Sequence, residues 1–396
     1  MKILSIIPSV NPKTGGPIQG IRNYQTILVH LGCTRDIVTF EDPNDVIDWD
    51  FSPTLKIHAL GKAENPLAYH AGLFTFLKNN LVNYDVIIIH GLWLYHSIGS
   101  INAFKWLQKN KPDIKLPKVY SMPHGMLDPW FQTVKTRKIK AIRNYIYWYF
   151  FEKKVINSVD GILFTCEQEL LLARTTFSGY YPKKEINVGY GIETPPKKNL
   201  SFTSDFEKLC PRVKGKRFLL FLSRIDFKKG VDILINSYNL LSQENQYLPH
   251  LVIAGPLESN YAKEMILLAA GNPKIHFPGM LRGPEKWGAL YGCEAFILPS
   301  HQENFGIAVA EALACSKPVL ISNKVNIYRE IEDGGAGIVN DDTLEGTVSN
   351  LKQWFNLSLI EQQQMGHAAY LVYKKHFSVE NSAKKLFNIL NECIKT

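Results

Sequence analysis

The sequence predicts an α/β protein built from two doubly wound, parallel-sheet domains, and three observations carry that expectation. Short apolar runs of strand length, such as ILSII at 3–7 and VIIIH at 86–90, alternate with stretches of helical periodicity, the pattern of parallel strands joined by crossover helices. The alternation runs once to about residue 191 and begins again at Arg217. A length of 396 residues also exceeds what one hydrophobic core usually serves. Between the two series the chain turns Pro-, Lys- and Ser-rich without periodicity. The expected organisation is therefore a domain over 1–195, a linker over 196–216, a second domain over 217–376 and a terminal helix over 377–396.

Composition narrows the function classes. An apolar content of 45% with 12% aromatics is that of a globular chain. Met1 to Val10 holds an apolar run too short for a signal peptide and interrupted by Pro8, so it reads as a first strand. No segment reaches the roughly 20 apolar residues of a membrane span. The six cysteines are scattered, with no Cys-x-x-Cys pair, which suits reduced thiols in a cytoplasm better than disulfides or zinc. The formal charge of +9 lies mostly in the first half and suits phosphate-bearing substrates or an anionic membrane surface. No nucleic-acid-binding motif accompanies it, which sets that partner class aside.

In chain order, Lys2 to Pro8 is a buried strand, followed by a loop with Gly15 and Gly16 and a helix over about 18–31. Glycines there let a backbone approach a ligand, although the loop lacks the G-x-G-x-x-G and P-loop patterns. Asp36 to Phe40 is a second strand. In the acidic loop after it, Asp48 and Asp50 match the Asp-x-Asp of metal-dependent transferases in form only; the loop reads as solvated, and no metal is expected. Strands over 85–90 and 118–122 end in His90 and His124, at the carboxyl ends where open parallel sheets bind ligands. Residues 135–154 hold a basic cluster and then an aromatic one, with two more lysines after it. Such a segment either packs its aromatics inward behind a solvated basic face or lies on an anionic membrane. Strands over 161–165 and 186–191 complete the first sheet.

In the second half, a strand over 218–222 runs into Arg224 and Lys229. Five residues apart across a turn, the two cations can converge on one diphosphate. Strands over 251–255 and 275–277 follow, the latter leading to Gly279, Met280 and Leu281. The stretch LPSHQENFGIAVAEALACSKPV then reads as strand, polar loop and helix: Glu303 sits in the loop, Gly306 at the helix start and Glu311 inside the helix. The unpaired N–H groups at such a helix start receive a phosphate well. Two carboxylates and a phosphate cradle together fit a nucleotide sugar.

Glu303 and Glu311, with Asn304-Phe305-Gly306 after the first and an Ala-rich helix around the second, resemble the donor site of retaining glycosyltransferases of family 4, which have the GT-B fold. The resemblance implies two Rossmann-like domains facing a cleft, acceptor domain first, with the C-terminal helix crossing back to the first domain. It implies that Glu303 meets the transferred sugar, that Glu311 binds the ribose, and that the backbone of Phe305, Gly306 and Ile307 meets phosphate and sugar. Arg224 and Lys229 would carry the diphosphate, Gly279, Met280 and Leu281 the base, Gly15 and Gly16 the distal phosphate, and His124 a sugar hydroxyl. His90 is a candidate on the acceptor side. Two departures stand out: Ser316 where many relatives have Gly, and Tyr190 where relatives often have Asn.

The implied activity is retaining transfer of a hexose, with UDP-glucose or a similar UDP-sugar as the expected donor, to a saccharide or lipid-linked saccharide in cell-surface polysaccharide synthesis. Neither cofactor nor metal is expected. The expected setting is cytoplasmic, with 135–154 as the segment that would meet the inner membrane face. A nucleotide-sugar epimerase and a non-catalytic saccharide-binding protein remain open as alternatives. A phosphorylase would need a lysine-bound cofactor, for which the sequence shows no motif.

Overall fold

The computed structural model of the protein describes residues 1–11, 15–47 and 54–395, so Asp48 and Asp50 lie outside the described residues. The chain forms two compact units, one of residues 1–191 with 379–396 and one of 192–378. In the first unit the strands are β1 (Lys2–Ile6), β2 (Thr34–Thr39), β3 (Leu55–Ala59), β4 (Val86–His90), β5 (Lys118–Met122), β6 (Gly161–Phe164) and β7 (Glu185–Asn187). They pair in parallel in the order β3-β2-β1-β4-β5-β6-β7. Every residue of β4 is buried because helices cover both faces, which is why these strands are unbroken apolar runs. Leu4, Ile87 and Ile89 pack on one face with Leu73 and Leu77 of the helix Ala71–Asn80. Ile3, Val86 and Ile88 pack on the other with Ala383, Leu386 and Leu390 of the terminal helix Val379–Lys395. That helix lies along the helix Gly16–His30 and so belongs to the first unit.

The second unit holds β8 (Phe218–Leu222), β9 (His250–Ala254), β10 (Ile275–Gly279), β11 (Phe296–Leu298), β12 (Val319–Ser322) and β13 (Gly337–Asn340). Their order is β10-β9-β8-β11-β12-β13, again all parallel. In each sheet the winding reverses once, between β1 and β4 and between β8 and β11. Parallel sheets bind ligands outside the carboxyl ends of the strands at such a reversal.

Three details differ from the sequence reading. Residues 196–216 are not an extended linker: they hold the helix Leu200–Leu209, which packs on the helix Gly283–Gly292 within the second unit. The helix buries only Phe206 among its residues, too thin an apolar stripe to read as amphipathic. The edge strand β3 carries no strand signal in the sequence, because only Leu55 in it is fully buried. Ser316, which stands where many relatives of the resembled family have glycine, adopts the left-handed backbone itself with φ 59°. The N–H groups of Ser316 and Lys317 bond to Leu313 and Ala312 at 3.0 and 2.9 Å, so the helix stop is as tight as glycine would make it, at a cost of about 1 kcal/mol.

The segment after Thr133 divides its side chains. It forms the helix Lys138–Tyr147, a π-helical turn Trp148–Glu152 and a last turn Lys153–Ile156. Tyr147 and Trp148 pack inward, whereas Ile139, Tyr149 and Phe150 are 85%, 72% and 63% exposed.

Close packing of Leu200–Leu209 on Gly283–Gly292 turns on one residue. A Cβ at Gly288 would lie 1.9 Å from the Phe202 carbonyl oxygen, so Gly288→Ala should destabilise the protein by about 1–3 kcal/mol despite the better helix propensity of alanine. Denaturant unfolding of both proteins measures this, and an unchanged or raised midpoint would refute the contact.

Candidate active site

The loops after β8 and β11, on the two sides of the reversal in the second sheet, bring Lys229 and Glu303 together. After β8 the chain makes a short 3-10 turn, Phe227–Lys229, capped by Asp226, whose side chain accepts the Lys228 N–H at 3.0 Å. Gly230 follows with φ 66°. It can hold no side chain, since a Cβ there would meet the Pro299 carbonyl oxygen at 2.1 Å. This contact presses the β8 loop against the β11 loop. The Lys228 carbonyl accepts the His301 N–H at 2.8 Å and the Ser300 hydroxyl at 2.9 Å, locking the two loops.

Lys229 is only 4% exposed, and its ammonium donates to the Glu303 carboxylate. The Glu303 backbone is held from the other side: its N–H donates to Lys324 and its carbonyl accepts from Asn326, both at 2.9 Å. Burial pushes the Glu303 carboxyl upward, but the charges of Lys229, Lys228 and Arg224 outweigh burial and hold it below the ordinary carboxylate value. Arg224 is exposed. A buried pair such as Lys229–Glu303 is held only while both charges are present, because a lone buried ion is costly.

Gly306, with φ 76°, starts the helix Ile307–Ala314 directly beyond Glu303. A Cβ at Gly306 would meet the Glu303 Cγ at 3.3 Å, so the helix start and the carboxylate are fitted to one another. The N–H groups of Ile307, Ala308 and Val309 have no partner within the helix, which makes this end an anion cradle. Phe305 does not serve by its ring, which is buried edge-on against Phe377 at 5.5 Å between centroids. The Asn304 side chain accepts from Asn326 at 3.4 Å. Glu311, one turn along the helix, is held by Lys286 at 2.7 Å. Sequence reading missed Lys286, which lies 25 residues away in another helix and had no motif to mark it. At the end of β10, Gly279 accepts the Gly255 N–H at 3.0 Å, Met280 is exposed and Leu281 is buried.

In the first unit the histidines also meet. His124 follows β5 with φ 53°, a strained backbone for a residue other than glycine. Its Nε2 lies 3.0 Å from His90 Nδ1, and His90 Nε2 lies 3.2 Å from the Ser5 hydroxyl. Burial lowers both rings, His124 to about 4, so the pair is neutral at pH 7. Two buried glutamates that sequence reading passed over brace their loops. Glu169 accepts the Gly125 N–H at 2.5 Å and the Thr165 N–H at 2.8 Å. Glu152 accepts the Trp93 N–H at 2.9 Å and the Ser97 hydroxyl at 2.5 Å. Their only sequence signal is an acid inside an otherwise apolar stretch. Gly15 has φ 103°, Gly16 opens its helix, and among the described residues beyond their own chain neighbours and helix backbone neither has an atom within 4 Å of where a Cβ would stand. Tyr190, the second departure from the resemblance, donates its hydroxyl to the Gly16 carbonyl at 2.9 Å and so holds that turn.

Among the described residues, no cluster of three or more His, Cys, Asp or Glu side chains is placed to hold a metal ion.

The depressed Glu303 carboxyl sets a pH dependence. Its pairing with Lys229 stabilises the fold above the unfolded carboxyl value of about 4.3 and is lost as pH falls through the lower folded value. The difference in melting temperature between wild type and Glu303→Gln should therefore shift against the wild type as pH drops from neutral to about 3, where the charge pair no longer contributes. A difference that stays constant over that range would contradict the pairing.

Comparison with known proteins finds a family match in the second unit. Residues 205–372 match the model of the glycosyl transferases group 1 family. A D-inositol 3-phosphate glycosyltransferase of Arthrobacter sp. (strain FB24) is 30% identical over 132 residues, covering 32% of this chain and 31% of that protein. The match thus spans about a third of that relative's length. The O-antigen chain mannosyltransferase C of Escherichia coli is 22% identical over 363 residues, covering 88% of this chain and 84% of the relative. The solved structure of Anabaena Alr3699/HepE in complex with UDP-glucose superposes with a TM-score of 0.71 at 16% identity, covering 99% of this chain and 100% of that one. The family match lies within the second unit, and the likeness in fold extends over the whole chain.

Proposed function

We propose that this glycosyltransferase moves a hexose from a UDP-sugar, UDP-glucose or a close relative of it, to a hydroxyl of a saccharide or lipid-linked saccharide, retaining the anomeric configuration. The observation that carries the reading is the Lys229–Glu303 pair set against the helix start at Gly306. A diphosphate arriving there meets Lys229, Arg224 and the first N–H groups of the helix Ile307–Ala314. These donors gain most where charge grows on the departing phosphate. Lys229, drawn to the phosphate, would release the Glu303 carboxylate to the sugar. Glu311 would exchange Lys286 for the ribose hydroxyls, and the backbone at Gly279, Met280 and Leu281 would take the base.

The resemblance alone assigns the distal phosphate to Gly15 and Gly16, a sugar hydroxyl to His124 and the acceptor side to His90. Neutral imidazoles suit hydrogen bonding to hydroxyls at physiological pH. The phosphate oxygen leaving the sugar would take the acceptor proton on the same face, so this route asks for no second carboxylate set for a covalent sugar intermediate.

A cytoplasmic setting at the inner membrane face is part of the proposal. It is supported by the cysteines, all free in the structure, and by the exposed Ile139, Tyr149 and Phe150 among Lys135, Arg137, Lys138, Lys140 and Arg143. None of the helices among the described residues is long and apolar enough to cross a membrane. Exposed apolar side chains with cations near them in the sequence match an anionic lipid surface.

Lys229→Ala and Glu303→Ala should each lower turnover by about a hundredfold or more while the far-UV spectrum stays native. In melting experiments UDP should stabilise the wild type with EDTA present and lose most of that effect in Lys229→Ala. Full activity in either variant would sink the assignment, and failure of UDP, GDP and ADP alike would favour a non-catalytic saccharide-binding protein. Liposomes containing anionic lipid should sediment the wild type at low salt and release Tyr149→Glu/Phe150→Glu; no sedimentation would remove the membrane contact.

A further inference from the structure

The first unit contains a buried cation that the proposed transfer leaves without a task. Arg35, on β2, is 2% exposed. Its Nη1 makes a long bond to the Ile21 carbonyl, at 3.4 Å, and its Nε has no partner. Among the described residues no carboxylate lies within ion-pair distance of it. The neighbouring Asp36 turns to the opposite face of the sheet, where it accepts the Tyr84 hydroxyl at 2.7 Å and lies 3.4 Å from His58. The titratable groups nearest Arg35 offer no compensating charge: burial raises the pKa of both Cys33 and Tyr24, so both are neutral at pH 7. Burial lowers Arg35 only to about 10, so it stays cationic. A buried guanidinium without a counter-charge is among the more costly groups a fold can hold.

Arg35 lines a pocket of about 350 Å³, open mouth included. The rest of the wall is largely apolar, with Ile88, Met122 and Leu163, apart from the neutral rings of His90 and His124. Of all its lining residues only Pro17 and His124 are not fully buried, so the pocket opens beside them. A buried cation with no counter-charge among the described residues and neutral imidazoles able to donate are the features of an anion site.

We propose that this pocket binds a small oxyanion, a carboxylate or a phosphate group, through the guanidinium of Arg35. A planar fork of donors matches either group in two parallel hydrogen bonds. The site is formed wholly by the first unit and does not depend on the nucleotide-sugar reading of the second. The anion is either free in solution or carried by a sugar, as in a hexose phosphate or a hexuronate.

The test uses the full chain carrying Lys229→Ala, so that anion binding at the other site is weakened in every sample. Melting temperatures are recorded against phosphate, acetate, a hexose phosphate and a hexuronate, with ionic strength held constant by sodium chloride. At least one oxyanion should give a saturable rise, abolished in Arg35→Met and moved to about tenfold higher concentration in Arg35→Lys, which keeps the charge but loses the fork. A tighter midpoint for the sugar-borne anions assigns the pocket to an anionic sugar, and equal midpoints assign it to a free ion. If Arg35→Met does not fold, the Arg35→Lys midpoint decides. A midpoint unchanged in Arg35→Lys, or no saturable response to any oxyanion, overturns the proposal.

Discussion

The close approach of the β8 and β11 loops is the constraint on which the second unit's chemistry depends. Gly230 against the Pro299 carbonyl leaves no room for a side chain, and the Lys228 carbonyl ties His301 and Ser300 to the same place. A lysine and a glutamate 74 residues apart are thereby held in contact and mostly out of water. Without a ligand they neutralise one another. In the proposed transfer the same lysine would turn to the diphosphate and the glutamate to the sugar.

The first unit follows a different logic. Its two histidines are kept neutral by burial, and their loops are braced by buried carboxylates that accept backbone N–H groups. Burial alone would raise such carboxyls, and Glu152 is indeed pushed up to about 7 against the hydrogen bonds from Ser97 and Trp93. Glu169 spends both its oxygens on the backbone and hydroxyl of Thr165 and the N–H of Gly125. The strained backbone of His124 persists because this bracing over-determines it. In the second unit two opposite charges are held against each other; in the first, buried acids that accept backbone N–H groups set the position of neutral rings.

Legibility in the sequence followed the range of each interaction. Buried strands could be read because parallel sheets covered on both faces demand unbroken apolar runs, and β4, β5 and β8 lie where those runs do. Glu303, Gly306 and Glu311 could be read because loop, helix start and carboxylates are local to one short stretch. The helix Leu200–Leu209 could not, since a single buried phenylalanine anchors it and its partner helix, Gly283–Gly292, is far along the chain. Lys286, Glu152 and Glu169 went unread for the same reason: each acts on a group outside its own local pattern, and a lone charged residue in a helix ordinarily faces water. The aromatic segment after Thr133 was ambiguous because a π-helical turn at Trp148–Glu152 shifts which side chains face inward, and no regular period anticipates that shift.

What the sequence by itself determined is the class of the molecule: two parallel sheets with phosphate-receptive turns at their carboxyl ends, and a set of residues suited to a nucleotide sugar. Those properties rest on apolar periodicity, turn chemistry and short motifs, all of which are local. Only the tertiary structure decided that Lys229 neutralises Glu303, that Lys286 pairs with Glu311, and that Arg35 is buried with no counter-charge among the described residues. Such placements depend on which strand ends and helices the winding of each sheet makes neighbours, and no local pattern encodes them.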